Sequence, residues 1–235
     1  VLEITDADLE LLDDAFAEAR AMSLRIRHCE TPRRQIGQCE PPLREIGLRD
    51  TGDGWFRDLL AGLLDATFRE YRHLRTGLRE STPLVAWACR NLLELNIQTQ
   101  YVLSSEANAR RYAGERLAGG IEIFDAFQTW AARNDPALVT PAITAVLNSL
   151  VERKAQEEAA APQRALSVRY LSAEAGLADE YANMSKVCAN LIHPSVFPVS
   201  AGADEGQLPL LRPVLFRAGA GHGLEIIQAI QGRNA

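Results

Sequence analysis

Twenty residues, LVAWACRNLLELNIQTQYVL (Leu84 to Leu103), constrain the fold of this chain more than any other stretch. They are its most apolar helical run, and they follow Thr82-Pro83, a hydroxyl cap and first-turn proline suited to a helix start. Elsewhere apolar residues also recur at spacings of three and four. Leu9, Leu12, Phe16, Ala19, Met22 and Ile26 predict a first amphipathic helix entered at Thr5 and Asp8 and ending near His28. No run of alternating residues bounded by turn signals appears, so the predicted fold class is all-α: a single bundle of about six to seven helices.

Leu59, Leu60, Leu63, Leu64 and Leu74 predict a second helix towards Thr76, with Gly77 as its stop. A fourth helix is expected from Asn108 to about Arg133, interrupted at Gly119-Gly120, and a fifth from about Pro141 into the charged ERKAQEE run. Ala165 to Ile192 predicts one or two more, with Gly176 as the interruption. In the carboxyl part, LPLLRPVLF reads as an extended packed segment because prolines break it, and Leu224 to Ile230 as a short closing helix. The expected organisation is an N-terminal helix over 1–28, a loop over 29–54, a bundle core over 55–200 and a proline-rich, irregular extension over 201–235.

The loop holds a short repeat: CETPRRQIG (Cys29 to Gly37) returns ten residues later as CEPPLREIG (Cys39 to Gly47). Two Cys-Glu pairs beside His28 raise the idea of a metal or redox site. A spacing of ten matches no zinc pattern, however, so a duplication in a tolerant loop is the favoured reading, with neither metal nor cofactor expected. Four cysteines are too few for a disulfide scaffold, and Cys89 and Cys188, inside apolar helical runs, read as reduced buried thiols.

A formal charge of -6 provides no overall positive field for nucleic acid, although a local basic patch would suffice for RNA. No window reaches the roughly 18 to 20 uninterrupted apolar residues of a membrane helix. The amino end is acidic where a secretory signal would be basic, so a cytoplasmic location is the default expectation.

Polarity is misplaced at two points. Arg90 and Glu94, four apart, share a helical face with Trp87, Ile97 and Tyr101, and a charged pair on so apolar a face needs a partner if it is buried. The alternatives are a partly exposed helix salt bridge and a pair at the base of a pocket. In the second stretch, YANMSKVCANLIHPS (Tyr181 to Ser195), Tyr181, Ser185, Cys188 and Ile192 align by the 3.6-residue repeat, with His193 at the edge of the stripe. Pro194 pushes His193 towards extended geometry and ends the helix there. The imidazole either caps carbonyls or acts as acid or base beside Ser185, Ser195 or Tyr181.

R-N-L-L-E at Arg90 to Glu94, followed by Y-x-x-x-S (Tyr181, Ser185) and H-P-S (His193 to Ser195), resembles a family of bacterial helical proteins of unknown function. The likeness covers about residues 55–200 and implies a bundle that brings Arg90 and Glu94 near Tyr181 and His193. A more distant resemblance is to HEPN domains, which include dimeric RNA-cleaving toxins and plain binding modules. Their active motif is an arginine, then four to six residues, then histidine, with a polar residue after the arginine. Here Lys186 stands in the arginine's place and apolar Val187 follows it, and lysine lacks the planar fork that grips phosphate.

Two functions follow as expectations. The first is a helical-bundle module binding a small ligand or protein partner through Arg90, Glu94, Tyr181, Ser185 and His193. The second is an RNA-acting HEPN-like enzyme, with His193 as acid or base and Lys186 or Arg90 meeting phosphate. Apolar residues on several helices are also compatible with a homodimer.

Overall fold

A computed structural model describes residues 4–28, 54–158, 166–193 and 208–232. The described residues are all-α: eight α-helices and two short 3-10 turns, with no strand among them. The helices are α1 (Asp6–His28), α2 (Trp55–Glu80), α3 (Thr82–Ser104), α4 (Glu106–Asn134), α5 (Pro141–Glu158), α6 (Val168–Glu174), α7 (Ala178–Ile192) and α8 (Arg212–Gln231). They divide into two compact units, one formed by residues 1–106 with 168–235 and the other by residues 107–167.

The first unit is built around α3, whose apolarity on every side demands neighbours on every side. It packs against α2, α6, α7 and α8, and Val85, Ala86, Ala88, Cys89, Leu92, Leu93 and Ile97 are completely buried. Its start differs by one residue from expectation. Ser81, not Thr82, is the cap, accepting from the Leu84 N–H at 3.4 Å, while the buried Thr82 hydroxyl accepts from Arg212 Nε at 2.9 Å. α1 begins at the predicted box: the Thr5 N–H donates to Asp8 Oδ2 and the Asp8 N–H to Thr5 Oγ1, at 3.0 and 3.2 Å. Leu9, Phe16, Ala19 and Met22 are the buried positions of its apolar face.

Three breaks expected from glycine and proline do not occur. α2 runs through Gly77 to Glu80, because that glycine serves packing: a Cβ there would stand 2.6 Å from the Val85 backbone nitrogen. α4 is continuous across Gly119-Gly120, where a Cβ on Gly120 would meet Leu150 of α5 at 3.3 Å. LPLLRPVLF is not extended either. It forms a 3-10 turn (Leu208–Leu211) leading into α8, where Pro213 occupies the first turn and its missing N–H leaves no bond unmade. The expected short closing helix is thus the second half of a 20-residue helix.

These differences redraw the domains. The C-terminal part, expected as an irregular extension, supplies a core helix with Phe216, Ala220, Ile226 and Ile227 buried. Residues 107–167, expected inside the bundle core, are a unit of their own. In that second unit Gln128 of α4 donates to Thr144 of α5 at 3.2 Å, and Ile123, Trp130, Val146 and Val151 are exposed. No helix among the described residues is long and apolar enough to cross a membrane.

Candidate functional site

The polar groups of the first unit collect along α3 where it meets α7 and α8. Arg90 Nε donates to Glu94 Oε1 at 2.9 Å, and the two side chains are 32% and 22% exposed. The pair is therefore a part-exposed helix salt bridge, neither sealed in the core nor free on the surface. The Glu94 hydrogen bond raises the pKa of the Arg90 guanidinium, against a smaller lowering by burial, and the Tyr181 phenol adds to the rise from α7. The Tyr181 phenol, about ninety residues further along the chain, is therefore close enough to act on the Arg90 guanidinium that Glu94 holds.

Ser185 follows Tyr181 by one turn on the inner side of α7. Its Oγ is buried and makes no hydrogen bond within the protein. One turn further on, Cys188 is completely buried, as is Cys89 of α3. Interaction with Cys188, and then burial, raise the pKa of the Cys89 thiol, while interaction with Cys89 and the Arg90 charge lower that of Cys188 against the effect of its burial.

His193 ends the helix as Pro194 predicts, with φ -79° and ψ 144°, its N–H donating to the Ala189 carbonyl at 3.1 Å. The side chain is exposed, as is that of Lys186. Twelve residues of helix separate His193 from Tyr181, about 18 Å along the axis at 1.5 Å per residue. Arg90, Glu94 and Tyr181 thus come together with Ser185 beside them, whereas His193 sits at the far end of α7. Ser195, Cys29 and Cys39 lie outside the described residues. Among those described, no group of three or more His, Cys, Asp or Glu residues is arranged to hold a metal ion.

A second polar cluster escaped the sequence reading. His222 of α8 is only 5% exposed, with Nδ1 3.5 Å from Asn96 Nδ2 and 3.7 Å from Glu225 Oε2. Its Nε2 lies 3.4 Å from Glu180 Oε1 of α7 but makes no aligned hydrogen bond. Asn96, completely buried on α3, donates to Glu225 Oε2 at 2.5 Å. Asn96 was the available signal, an amide in the most apolar helix. His222 is hidden in the sequence because it lies in the glycine-rich AGAGHGL, within the part expected to be irregular.

By fold the chain is an all-α helical bundle. No protein-family model matches it, and no curated protein and no solved structure matches it.

Proposed function

We propose that this protein is a binding module whose ligand is a small polar molecule held between α3 and α7 by Arg90, Glu94, Tyr181 and Ser185. The observation that carries the reading is the Ser185 hydroxyl: buried, unpartnered, and one turn from the phenol that reaches Arg90. An unmatched buried hydroxyl costs about 1–3 kcal/mol, which a ligand offering an acceptor or donor would recover. Arg90 and Glu94 offer both signs of charge within one helical turn, which suits a ligand with donors and acceptors better than a purely anionic one.

The test has two parts. Denatured wild-type protein is searched by mass spectrometry for a released small molecule, and amino acids, dicarboxylates and nucleoside monophosphates are screened by thermal shift. One class should raise Tm, with its affinity falling about tenfold or more, some 1.4 kcal/mol, in both Ser185→Ala and Arg90→Gln. If no class stabilises the protein, and RNA is cleaved by the wild type but not by His193→Ala, the HEPN-like ribonuclease is the correct reading instead.

A further inference from the structure

We propose that the α4–α5 hairpin is a self-association surface, on which a second copy of this chain lays its own hairpin antiparallel to complete a four-helix bundle. The inference goes beyond the binding reading and is independent of the α3–α7 site.

The second unit lacks a core of its own. Among its described residues only Ala109 and Ala131 are buried, while Ile123, Trp130 and Val146 are 70%, 53% and 44% exposed. Two helices meet along a single seam, and a unit of about sixty residues needs more apolar burial than one seam supplies.

The exposed residues lie together. Two contacts fix the sides of the seam: a Cβ on Gly120 would stand 3.3 Å from Leu150, and Gln128 donates to Thr144 at 3.2 Å. By the helical repeat of about 3.6 residues, Ile123, Phe127 and Trp130 lie on the Gly120 side of α4, and Ile143 and Val146 on the Leu150 side of α5. Both apolar sets therefore share one face of the hairpin. Within it the Phe127 and Trp130 rings pack with 6.2 Å between centroids. The stretch from Gly119 to Asn134 runs about 24 Å, and two helices side by side are about 20 Å across. As a flat footprint that is roughly 480 Å² on each copy and about 1,000 Å² over both, the lower bound for a specific interface, which side-chain relief only enlarges.

Charge selects a second copy as the occupant. Glu122 and Arg133 flank Ile123 and Trp130 on the outer edge of α4, both exposed and neither side chain engaged in a hydrogen bond or ion pair among the described residues. Eleven residues apart, they fall on the same edge about three turns from each other. With a two-fold axis beside Phe127, Glu122 of each copy faces Arg133 of the other, and two reciprocal ion pairs bracket the apolar centre. Such exposed pairs add little strength but fix the register. A second copy carries this pattern already.

The experiment is sedimentation equilibrium of the full chain at low salt. A reversible monomer–dimer equilibrium is expected, with a Kd of about 1–100 μM for an interface of this size. Ile123→Glu and Trp130→Glu should each raise Kd about tenfold or more with unchanged circular dichroism, since both side chains are exposed in the monomer. Glu122→Arg and Arg133→Glu should each weaken the dimer several-fold. An equimolar mixture of these two variants should recover wild-type association, because each reversed charge then faces its opposite on the other copy. A monomer at every concentration overturns the proposal and leaves the face to a different protein. So does a dimer that both Ile123→Glu and Trp130→Glu leave intact, and a mixture that fails to recover association overturns the antiparallel register. The wild-type series and the charge-reversal mixture decide the matter even if an apolar variant fails to fold.

Discussion

Tyr71 of α2 lies flat on Phe16 of α1, with 3.8 Å between ring centroids and 3° between planes, and its hydroxyl donates to Asp13 at 2.6 Å. Asp13 is also held by Arg75, 3.3 Å away. Replacing Tyr71 by Phe keeps the stack and removes one bond to a half-exposed carboxylate that retains its other partner, so urea unfolding should show a loss of about 1 kcal/mol. Burial, and then the bond to Asp13, push the phenol well above its ordinary pKa. A raised folded-state pKa means the contribution is complete below the unfolded value and fades only as pH climbs through the folded one. The loss in Tyr71→Phe should therefore be flat from about pH 6 to 9. A loss that grew across that window would show that the phenol ionises there. At this same scale much of the candidate site was legible: the four-residue spacing of Arg90 and Glu94, and the stripe of Tyr181, Ser185 and Cys188, are properties of a single helix. His222 with Asn96 was not, because the histidine has meaning only beside a side chain more than a hundred residues away.

Glycine and proline mislead at the scale of elements, since each breaks a helix in one setting and enables a contact in another. α8 shows both uses. Pro213 sits in its first turn, and Gly219 and Gly223 let its backbone approach α3 and α1. A Cβ on Gly223 would meet the Phe16 ring at 2.5 Å, and that ring is completely buried and already stacked on Tyr71. Gly223→Ala should therefore cost about 1–3 kcal/mol despite its better helix propensity. At Gly221, two residues earlier, nothing lies within 4 Å of the added Cβ, so Gly221→Ala should stabilise by about 0.5–1 kcal/mol. Chemical denaturation of the two variants checks the pair. Equal effects would show that propensity, not close approach, governs these positions. Sequence pattern located most helices because a 3.6-residue period is local. It misjudged where α2, α4 and α8 begin, end or continue, because the neighbour across a glycine is not local.

For the whole molecule, the division into two compact units predicts separable folding. A chain in which Ala107–Ser167 is replaced by a flexible Gly/Ser linker should keep the cooperative unfolding and near-ultraviolet circular dichroism expected of a packed unit. Gradual unfolding without a baseline would mean that the first unit needs the second. The prediction rests on where the core lies: α3 has α2, α6, α7 and α8 as neighbours, all within the first unit.

The sequence by itself determined the fold class, the helical register and the central place of the Leu84–Leu103 run, because apolar spacing and capping act within a few residues. Only the tertiary structure decided that α8 belongs in the core, and that Tyr181 comes within reach of Arg90 while His193 stands at the far end of α7. Those outcomes depend on which helices lie side by side, and that choice is made by close packing between distant segments.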